Sequence, residues 1–311
     1  MFEIFRDKKI IVTGHTGFKG SWLAAFLSTY GCQIYGLSKD IPSNPSHYSL
    51  LNFTKKIKNY KVDITDQKKI KNIIHKIQPD FVFHLAAQSL VKTSYDDPVL
   101  TFKSNSIGTL NILESLRYLK KKCSVILVTS DKSYKNLEIK RGYKETDLLG
   151  GEDPYSASKA CAELIIQSYI KSYFKNKKIL ISVGRAGNVI GGGDWSKDRL
   201  IPDCFRSWSK KKVAIIRNPK STRPWQHVIE VVYGYMVLAK KLHNNPKLHG
   251  EVFNFGPSYK KNYKVKEILT FFKSIWSVCK WKINVKNTNQ KESVLLKLNS
   301  TKANQILKWK T

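Results

Sequence analysis

Short apolar stretches alternate with longer amphipathic stretches through the first half of the chain. The apolar stretches are four or five residues long and mostly β-branched or aromatic, a pattern typical of strands buried on both faces of a parallel sheet. The predicted strands are Lys9–Thr13, Gln33–Leu37, Asn59–Val62, Phe81–Leu85, Val125–Thr129 and Ile179–Val183. The predicted helices are Phe18–Tyr30, Gln67–Ile77, Val99–Leu119 and Tyr155–Phe174. This alternation predicts an α/β fold with a doubly wound parallel sheet.

The pattern changes after residue 184. Loops rich in Gly, Pro and Trp, such as Gly191–Pro202 and Asn218–Gln226, then alternate with short strands and helices. We predict that residues 1–184 form the sheet domain and that residues 185–311 form a smaller substrate-binding lobe. In a doubly wound fold the ligand crevice lies at the carboxyl ends of the strands, so side chains that carry chemistry should follow directly after the strands.

A glycine-rich turn, Gly14–Gly20, lies between the first predicted strand and the first predicted helix. Its first glycine permits a tight turn, its second lets backbone N–H groups approach a pyrophosphate, and its third allows close packing of helix on strand. In this context the glycine triplet predicts a dinucleotide site and a Rossmann domain. The residues of the turn that we expect to contact the dinucleotide are Gly14, Thr16, Gly17, Phe18, Lys19 and Gly20.

Two further segments that follow predicted strands suit the same dinucleotide. Asp63 and Ile64 follow the third strand, where a carboxylate can accept a hydrogen bond from an adenine amino group. Leu85, Ala86 and Ala87 follow the fourth strand, and the small residues let the backbone pass close to a ribose. We therefore expect all five residues to line the cofactor site.

The choice of dinucleotide depends on the residues after the second strand. Asp40 favours the free 2′-hydroxyl of NAD over the phosphate of NADP, although the neighbouring Lys39 weakens this preference. We predict NAD as the cofactor. The five cysteines lie tens of residues apart without a CxxC pair, so we expect neither a metal site nor a disulfide framework.

Tyr155 and Lys159 form the predicted catalytic pair. They are four residues apart on a predicted helix, so both side chains share one face. A tyrosine is a poor base at neutral pH, but a neighbouring ammonium favours the phenolate. Tyr155 would then remove a hydroxyl proton while a hydride leaves, and Lys159 would also hold the nicotinamide ribose.

Ser130, Asp131 and Lys132 follow the fifth predicted strand and reach the same edge of the sheet. A simple dehydrogenase needs only a hydroxyl at this position, to orient the substrate for the tyrosine. An acid and an amine directly after the hydroxyl indicate additional proton chemistry, although a Ser-Asp turn with an exposed lysine has the same sequence.

The charge of the chain is strongly positive. Lys and Arg number 55 against 23 Asp and Glu, which gives a formal net charge of +32. Such a balance raises nucleic acid as a partner, but the excess is mostly lysine and is spread along the whole chain, whereas phosphate-clamping surfaces favour Arg forks. We therefore expect no specific nucleic acid partner. We expect no membrane span, since no run of ~18 apolar residues occurs. We expect a cytoplasmic location, since the N-terminus lacks a signal peptide.

With these motifs the chain resembles the nucleotide-sugar dehydratases of the extended short-chain dehydrogenase/reductase family, NAD-dependent epimerases and dehydratases, and most closely those that act on CDP-glucose. The matching strings are residues 12–23, 84–88, 129–132, 149–159, 185–195, 198–202 and 221–228. The most specific strings are His-Thr-Gly-Phe-Lys-Gly at 15–20, Gly-Gly-Gly-Asp-Trp at 191–195 and Arg-Pro-Trp-Gln-His at 223–227.

The resemblance implies a redox-neutral 4,6-dehydration. NAD would take hydride from C4 of CDP-glucose, water would leave across C5 and C6, and hydride would return to C6, giving CDP-4-keto-6-deoxyglucose. By position, the resemblance implies that Ser130 bonds the C4 oxygen beside Tyr155. It further implies that Asp131 protonates the departing C6 hydroxyl and that Lys132 is the base at C5.

The rest of the substrate is a diphosphate, for which planar Arg forks are suited. Arg223 and Arg199 lie inside the matching strings, as does the neutral donor Asn188. We add Gln88 and His227 to the expected substrate-binding residues. We also expect a homo-oligomer, a dimer or a tetramer.

The chain departs from the family pattern in a few places. Lys92 stands where the family usually has Arg, and Arg141 replaces a common Trp. The late motif of the family lies at residues 296–303 and 307–309, and relatives continue for a few dozen residues beyond it. The resemblance therefore implies a shortened C-terminal part.

Three alternatives remain open from the sequence. The first is an epimerase or reductase for another nucleotide sugar, which would need neither an acid at 131 nor a base at 132. The second is a nonenzymatic polyanion-binding or RNA-binding protein, whose binding would depend steeply on salt and not on Tyr155. The third is an inactive, shortened paralogue that keeps only the cofactor.

Overall fold

The computed structural model describes residues 2–51, 56–175, 178–258, 263–284 and 295–311. The strands are β1 Lys9–Thr13, β2 Gln33–Ser38, β3 Ile57–Lys61, β4 Phe81–His84, β5 Cys123–Ser130, β6 Ile179–Ala186, β7 Val189–Ile190, β8 Ala214–Ile216, β9 Thr222–Arg223, β10 Gln226–His227, β11 Val252–Phe255, β12 Tyr263–Lys264 and β13 Trp281–Ile283. The α-helices are α1 Phe18–Ser28, α2 His47–Leu50, α3 Gln67–Ile77, α4 Val91–Asp96, α5 Pro98–Phe102, α6 Gly108–Leu116, α7 Pro154–Tyr173, α8 Leu200–Trp208, α9 Val228–Asn244 and α10 Val265–Ile275.

Seven strands form one central sheet in the order β3-β2-β1-β4-β5-β6-β11. Every neighbouring pair in this sheet is parallel. All six predicted strands lie in it, which confirms the doubly wound Rossmann fold. Because the chain crosses over between β1 and β4, the strand order reverses there and leaves a crevice at the carboxyl ends of the two strands.

Successive residues of the strands enter two separate hydrophobic layers, one on each face of the sheet. Ile10 and Val12 of β1 pack with α1 and α9, whereas Ile11 packs with α3, α6 and α7 on the other face. The same alternation holds in β5, where Ile126 joins the first layer and Val125 the second. Burial on both faces explains why the strands are continuous apolar stretches in the sequence.

The sheet does not end with the predicted domain boundary at residue 184. Strand β6 continues to Ala186, and β11 returns to the edge of the same sheet, with Val252 opposite Val183. Helix α9 also packs on β5 and β6. The two-part division stays a prediction, and in the structure the chain after residue 184 supplies both a lobe and part of the sheet domain.

The long predicted helix over residues 99–119 has an internal change of pitch. Helices α5 and α6 are joined by a π-helical turn, Lys103–Ile107, which widens the backbone at Asn105. Such turns are frequently found at functional sites because they redirect a side chain within a helix. None of the helices in the described ranges is both long and apolar enough to cross a bilayer.

The smaller lobe holds its own apolar cluster. Strands β8 and β13 pair in parallel, and α8 and α10 pack around them with Trp208 and Leu269 buried at the centre. Two more short pairings, β7 with β10 and β9 with β12, connect the lobe segments. The lobe is thus made of short elements that depend on packing with one another.

Trp309 fastens the late segment of the chain to the sheet domain. Its ring is 1% exposed, lies edge-on to Phe255 with centroids 5.0 Å apart, and donates from Nε1 to the carbonyl oxygen of Glu230 at 2.9 Å. We expect Trp309→Ala to lower the free energy of unfolding by about 3–5 kcal/mol, measured in urea, because it leaves a cavity in the first hydrophobic layer. Trp276→Ala is the matched control, since that ring is 39% exposed, and an equal loss in both variants would contradict the assignment.

Candidate active site

The carboxyl end of β5 and the start of α7 bring four of the predicted catalytic side chains together. Asp131 is 1% exposed, and its Oδ1 accepts hydrogen bonds from Ser130 Oγ at 2.9 Å and from Lys132 Nζ at 3.3 Å. The Ser130 hydroxyl also shares a hydrogen bond with the Tyr155 phenol. The Oδ2 atom of Asp131 is buried without a hydrogen-bond partner among the described residues. An acid, an amine and a phenol therefore surround one hydroxyl.

The Tyr155 phenol is held in its protonated form by its surroundings. Burial raises its pKa to about 12, the hydrogen bond with Ser130 works in the opposite direction, and the charge of Asp131 adds to the rise. The sequence led us to expect a phenolate favoured by the neighbouring ammonium. In the structure burial has the largest effect, and the pKa of Tyr155 is raised rather than lowered.

Lys159 lies one turn after Tyr155 and is buried with it. Burial lowers the pKa of the Lys159 ammonium to about 8, and the charge of Glu163 on the next turn works against this shift. The lysine is therefore close to the point at which it would lose its charge at neutral pH.

Lys132 connects the sheet domain with the segment that leads into the smaller lobe. Its Nζ lies 3.5 Å from Oδ1 of Asn188, which follows β6. Arg199 reaches the same region from the lobe, because its Nη2 donates to Ser89 Oγ at 3.0 Å and its Nη1 pairs with Asp194 at 3.1 Å. The structure thus gathers two predicted substrate-binding residues beside the catalytic cluster.

The Gly14–Gly20 turn closes tightly on its own backbone. Gly14 has a φ of +71°, and a Cβ on it would lie 2.8 Å from the Cα of Ala86. A Cβ on Gly20 would lie 2.1 Å from the carbonyl oxygen of Gly14. Gly17 precedes α1 and provides no side-chain cap, so the first N–H groups of the helix keep their hydrogen-bonding capacity for a ligand.

Thr16 and Lys19, both in this turn, have different surroundings. The Thr16 hydroxyl donates to the carbonyl oxygen of Asp40 at 2.6 Å, which joins the turn to the end of β2. Lys19 is half-buried; burial first, and then the charges of Lys159 and Arg199, lower its pKa to about 7. Lys19 therefore lies on the side of the turn that faces the catalytic cluster, while Phe18 packs partly into the first hydrophobic layer.

A chain of hydrogen bonds fixes the position of Leu85 and Ala86. Both backbone N–H groups donate to Thr13 Oγ1, at 3.2 and 3.1 Å, and Thr13 in turn contacts His84 Nδ1 at 2.7 Å. His84 Nε2 lies 3.2 Å from Thr109 Oγ1. Burial lowers the pKa of His84 to about 3, so this ring is neutral and serves the chain as one acceptor and one donor.

Asp63 and Ile64 lie beside the predicted adenine position. Asp63 Oδ1 accepts from the N–H and the hydroxyl of Thr65, and its Oδ2 pairs with Lys39 at 3.3 Å. Partial burial raises the pKa of Asp63, but its hydrogen bonds with Thr65 and its pairing with Lys39 together bring the pKa below its usual value. Ile64 packs on Gly108, where a Cβ would approach it to 2.5 Å.

Ala87 and Gln88 continue from β4 toward the catalytic helix. The Gln88 side-chain amide donates to Leu90 O at 3.0 Å and to Thr101 Oγ1 at 2.9 Å, which holds it within its own loop. The backbone N–H of Gln88 donates to Asn105 Oδ1 at 2.9 Å.

Asn105 was not singled out from the sequence, although it joins this loop to the catalytic helix. Its Nδ2 donates to Gln88 O and to Ser158 Oγ, at 3.0 and 2.9 Å, and Ser158 Oγ donates to Tyr155 O at 2.7 Å. No local signal in the sequence marks Asn105, because its partners are 17 and 53 residues away.

Arg223 and His227 lie in the lobe segment. Arg223 is in β9, which pairs with β12, and its Nη1 donates to Thr222 O at 2.8 Å. His227 begins α9, and its Nδ1 accepts from the N–H of Ile229 at 3.3 Å. Their predicted contact with a substrate stays a prediction.

Two further residues of the specific strings have structural partners that the sequence reasoning missed. His15 is buried, its Nδ1 lies 2.8 Å from Ser38 Oγ, and it fills the space in front of Gly36, where a Cβ would lie 2.4 Å from the ring. Trp22 Nε1 donates to Gly192 O at 2.9 Å. Helix α1, which follows the cofactor turn, is thus in direct contact with the Gly191–Trp195 string.

Residues 11–311 match the family described as GDP-mannose 4,6 dehydratase. A CDP-glucose 4,6-dehydratase of Salmonella typhimurium is 40% identical over 313 residues, which cover 99% of this chain and 87% of that protein. A dTDP-D-glucose 4,6-dehydratase of Dictyostelium discoideum is 30% identical over 266 residues, 81% of this chain and 59% of that protein.

Solved structures share the fold at lower identity. An epimerase of Methanothermobacter thermautotrophicus superposes with a TM-score of 0.87 at 23% identity, over 99% of this chain and 89% of that one. A dTDP-glucose 4,6-dehydratase of Streptomyces venezuelae with NAD bound gives a TM-score of 0.83 at 19% identity, over 97% and 91% of the two chains. Since the family match covers nearly all of the sequence and includes every element around Tyr155, the chain belongs to the GDP-mannose 4,6-dehydratase family.

Proposed function

We propose that this protein is a CDP-glucose 4,6-dehydratase, a carbon–oxygen lyase that uses NAD. The observation that carries the proposal is the Asp131–Lys132 pair beside the Ser130 hydroxyl and the Tyr155 phenol. Hydride transfer alone needs only the phenol and the hydroxyl, whereas loss of water also needs an acid and a base. The choice of cytosine as the nucleobase of the substrate rests on the 40% identity to the Salmonella enzyme.

The residues of the cofactor crevice fit NAD. The approach of Gly14 to Ala86 leaves no room for a Cβ, and the start of α1 is uncapped, as a bound pyrophosphate requires. The residues that would hold the cofactor are Gly14, Thr16, Gly17, Phe18, Lys19, Gly20, Asp63, Ile64, Leu85, Ala86, Ala87, Tyr155 and Lys159. The Lys39–Asp63 ion pair neutralises the lysine that would otherwise attract the 2′-phosphate of NADP. The chemistry that NAD supplies when bound is reversible acceptance of hydride, from C4 and later back to C6.

In the first step Tyr155 takes the proton of the C4 hydroxyl while hydride leaves C4. Ser130 donates to the C4 oxygen and orients it toward the phenol. Because burial raises the pKa of Tyr155 to about 12 in the protein alone, a positive charge on Lys159 and on a bound nicotinamide would favour the phenolate that this step needs. This makes proton removal dependent on a complete site.

In the second step Lys132, as the neutral amine, takes the proton from C5, which the new 4-ketone has made acidic. Asp131, as the carboxylic acid, gives its proton to the C6 hydroxyl, which leaves as water. The 3.3 Å contact between Lys132 Nζ and Asp131 Oδ1 lets one proton pass between the two groups and restores the acid. The proton that Tyr155 took from the C4 hydroxyl then passes through Ser130 and Asp131 to Lys132, which gives it to C5 as hydride returns to C6. This restores the Tyr155 phenolate and leaves C4 as a ketone.

The diphosphate of the substrate is assigned to the lobe. Arg199 is the best supported ligand, because it contributes to the electrostatic environment of both Tyr155 and Lys19. Arg223, Asn188, His227 and Gln88 are further candidates from the sequence. A cytoplasmic location and a homo-oligomeric state likewise stay predictions.

The test of the function is to incubate the purified protein with NAD and, in parallel, CDP-glucose, dTDP-glucose or GDP-mannose. We expect a 4-keto-6-deoxy product from CDP-glucose alone. Product from another sugar nucleotide would correct the substrate, and C4 epimerisation without loss of water would replace the dehydratase by an epimerase.

We expect Tyr155→Phe to lower kcat by about 10²–10⁴-fold, because it removes the group that accepts the C4 hydroxyl proton. The thermal unfolding midpoint should change little, since the ring remains. Tyr95→Phe is the matched control, as this phenol is 40% exposed, and it should keep full activity. Steady-state formation of the keto sugar measures both variants.

Asp131→Asn and Lys132→Met should separate the two halves of the elimination. Both variants should still oxidise C4, seen as reduced nicotinamide absorbance in a single turnover, and both should lose water about 10²–10⁴-fold more slowly. Only Lys132→Met should also abolish exchange of the C5 hydrogen with solvent deuterium. Lys135→Met, on an exposed lysine three residues further along, is the control for loss of charge. Unchanged C5 exchange in Lys132→Met would exclude Lys132 as the base.

A further inference from the structure

A fully buried ion pair lies behind the catalytic helix. Glu163 and Arg185 have side chains 0% and 1% exposed, with Arg185 Nε at 2.7 Å from Glu163 Oε1 and Nη2 at 2.9 Å from Oε2. The Thr129 hydroxyl donates to the same Oε1 at 2.5 Å. The carboxylate therefore accepts three hydrogen bonds in a region without solvent, which fixes both its position and its charge.

Arg185 is anchored on its other side by uncharged groups. Its guanidinium lies 4.6 Å from the centre of the Tyr134 ring and donates to Glu145 O at 3.2 Å. Tyr134 OH in turn donates to Asn254 Oδ1 at 2.7 Å. Burial works against the guanidinium, but pairing with Glu163 raises the pKa of Arg185 above its usual value. The two groups thus compensate each other's charge in a region where an isolated buried charge would be costly.

Glu163 lies four residues after Lys159, so the two side chains are neighbours on one face of α7. Lys159 forms no ion pair within 4.0 Å among the described residues, and the charge that acts on it is that of Glu163. The titratable side chains facing Lys159 from other elements are Lys19 of α1 and the neutral His84 of β4. Lys19 itself is surrounded by Asp131, Lys132 and Arg199. Burial and the charge of Lys19 therefore oppose a positive charge on Lys159, whereas Glu163 favours it.

We propose that Glu163 is a positioning residue that favours the ammonium form of Lys159, and that the buried Arg185 and Thr129 hold the Glu163 carboxylate in place for this purpose. The proposal rests on the proposed function, because that chemistry needs a charged Lys159 beside Tyr155 and the nicotinamide ribose. It assigns a role in the reaction to an ion pair that touches neither the substrate nor the cofactor.

The experiment is the pH dependence of activity in Glu163→Gln. In the wild type the rate should fall as the pH rises through about 8, where Lys159 loses its proton. In Glu163→Gln this fall should move about one pH unit lower, because the attraction of the carboxylate for the ammonium is lost. Glu163→Asp keeps a carboxylate and should bring the fall back most of the way to its wild-type pH. Glu114→Gln removes the carboxylate of α6 that pairs with Arg117, and it should leave the profile unchanged.

A second variant tests whether the effect of Glu163→Gln comes from unfolding. Glu163→Gln leaves Arg185 buried and unpaired, so the double variant Glu163→Gln with Arg185→Gln removes both charges. Its profile should move in the same direction but by less, because loss of the Arg185 cation partly offsets loss of the carboxylate. A purely structural ion pair predicts a lower unfolding midpoint with an unmoved pH profile. An unmoved pH profile in the single or the double variant, if that variant is folded, would overturn the proposal.

A readout without substrate separates this inference from the proposed function. Binding of NADH, followed by its fluorescence across the same pH range, should weaken about one pH unit earlier in Glu163→Gln than in the wild type. A wild type that dehydrates none of the three sugar nucleotides would remove the proposed function. An unshifted NADH titration in Glu163→Gln would remove the role of Glu163.

Discussion

The contact between the carboxyl end of β5 and helix α7 is the interaction on which the site depends. Thr129 and Ser130, the last residues of the strand, bond Glu163 and Tyr155, which lie eight residues apart on the helix. The helix is therefore fixed along two turns against one strand end. Asp131 and Lys132 follow directly, so their positions relative to the phenol are set by the same contact.

The site beside this contact carries an excess of positive charge, as does the whole chain with its formal net charge of +32. Lys19, Lys132, Lys159 and Arg199 share one region with the buried carboxylates of Asp131 and Glu163. Burial lowers the pKa of both Lys19 and Lys159, to about 7 and about 8, and for Lys19 the charges of Lys159 and Arg199 add to the fall. In the proposed function a diphosphate substrate brings the negative charge that this region lacks, whereas the remaining lysines are spread over the surface.

Much of the fold could be predicted from local pattern. The strands are continuous apolar runs because both faces of the sheet are covered, and the glycine turn is recognisable because close backbone approach excludes a Cβ at Gly14 and Gly20. The π-helical turn at Asn105 and the return of β11 to the sheet could not be predicted in this way. Asn105 bonds partners 17 and 53 residues away, and β11 pairs with a strand about 70 residues earlier.

The sequence by itself determined which chemical groups are available and in what order, because helix and strand periodicity place Tyr155 with Lys159 on one face and Ser130 to Lys132 after one strand. The tertiary structure decided what those groups do electrostatically. Burial reverses the expected direction of the Tyr155 pKa, and the Glu163–Arg185 pair supplies a fixed charge behind Lys159. These properties depend on desolvation and on charges from distant parts of the chain, which no local pattern of residues records.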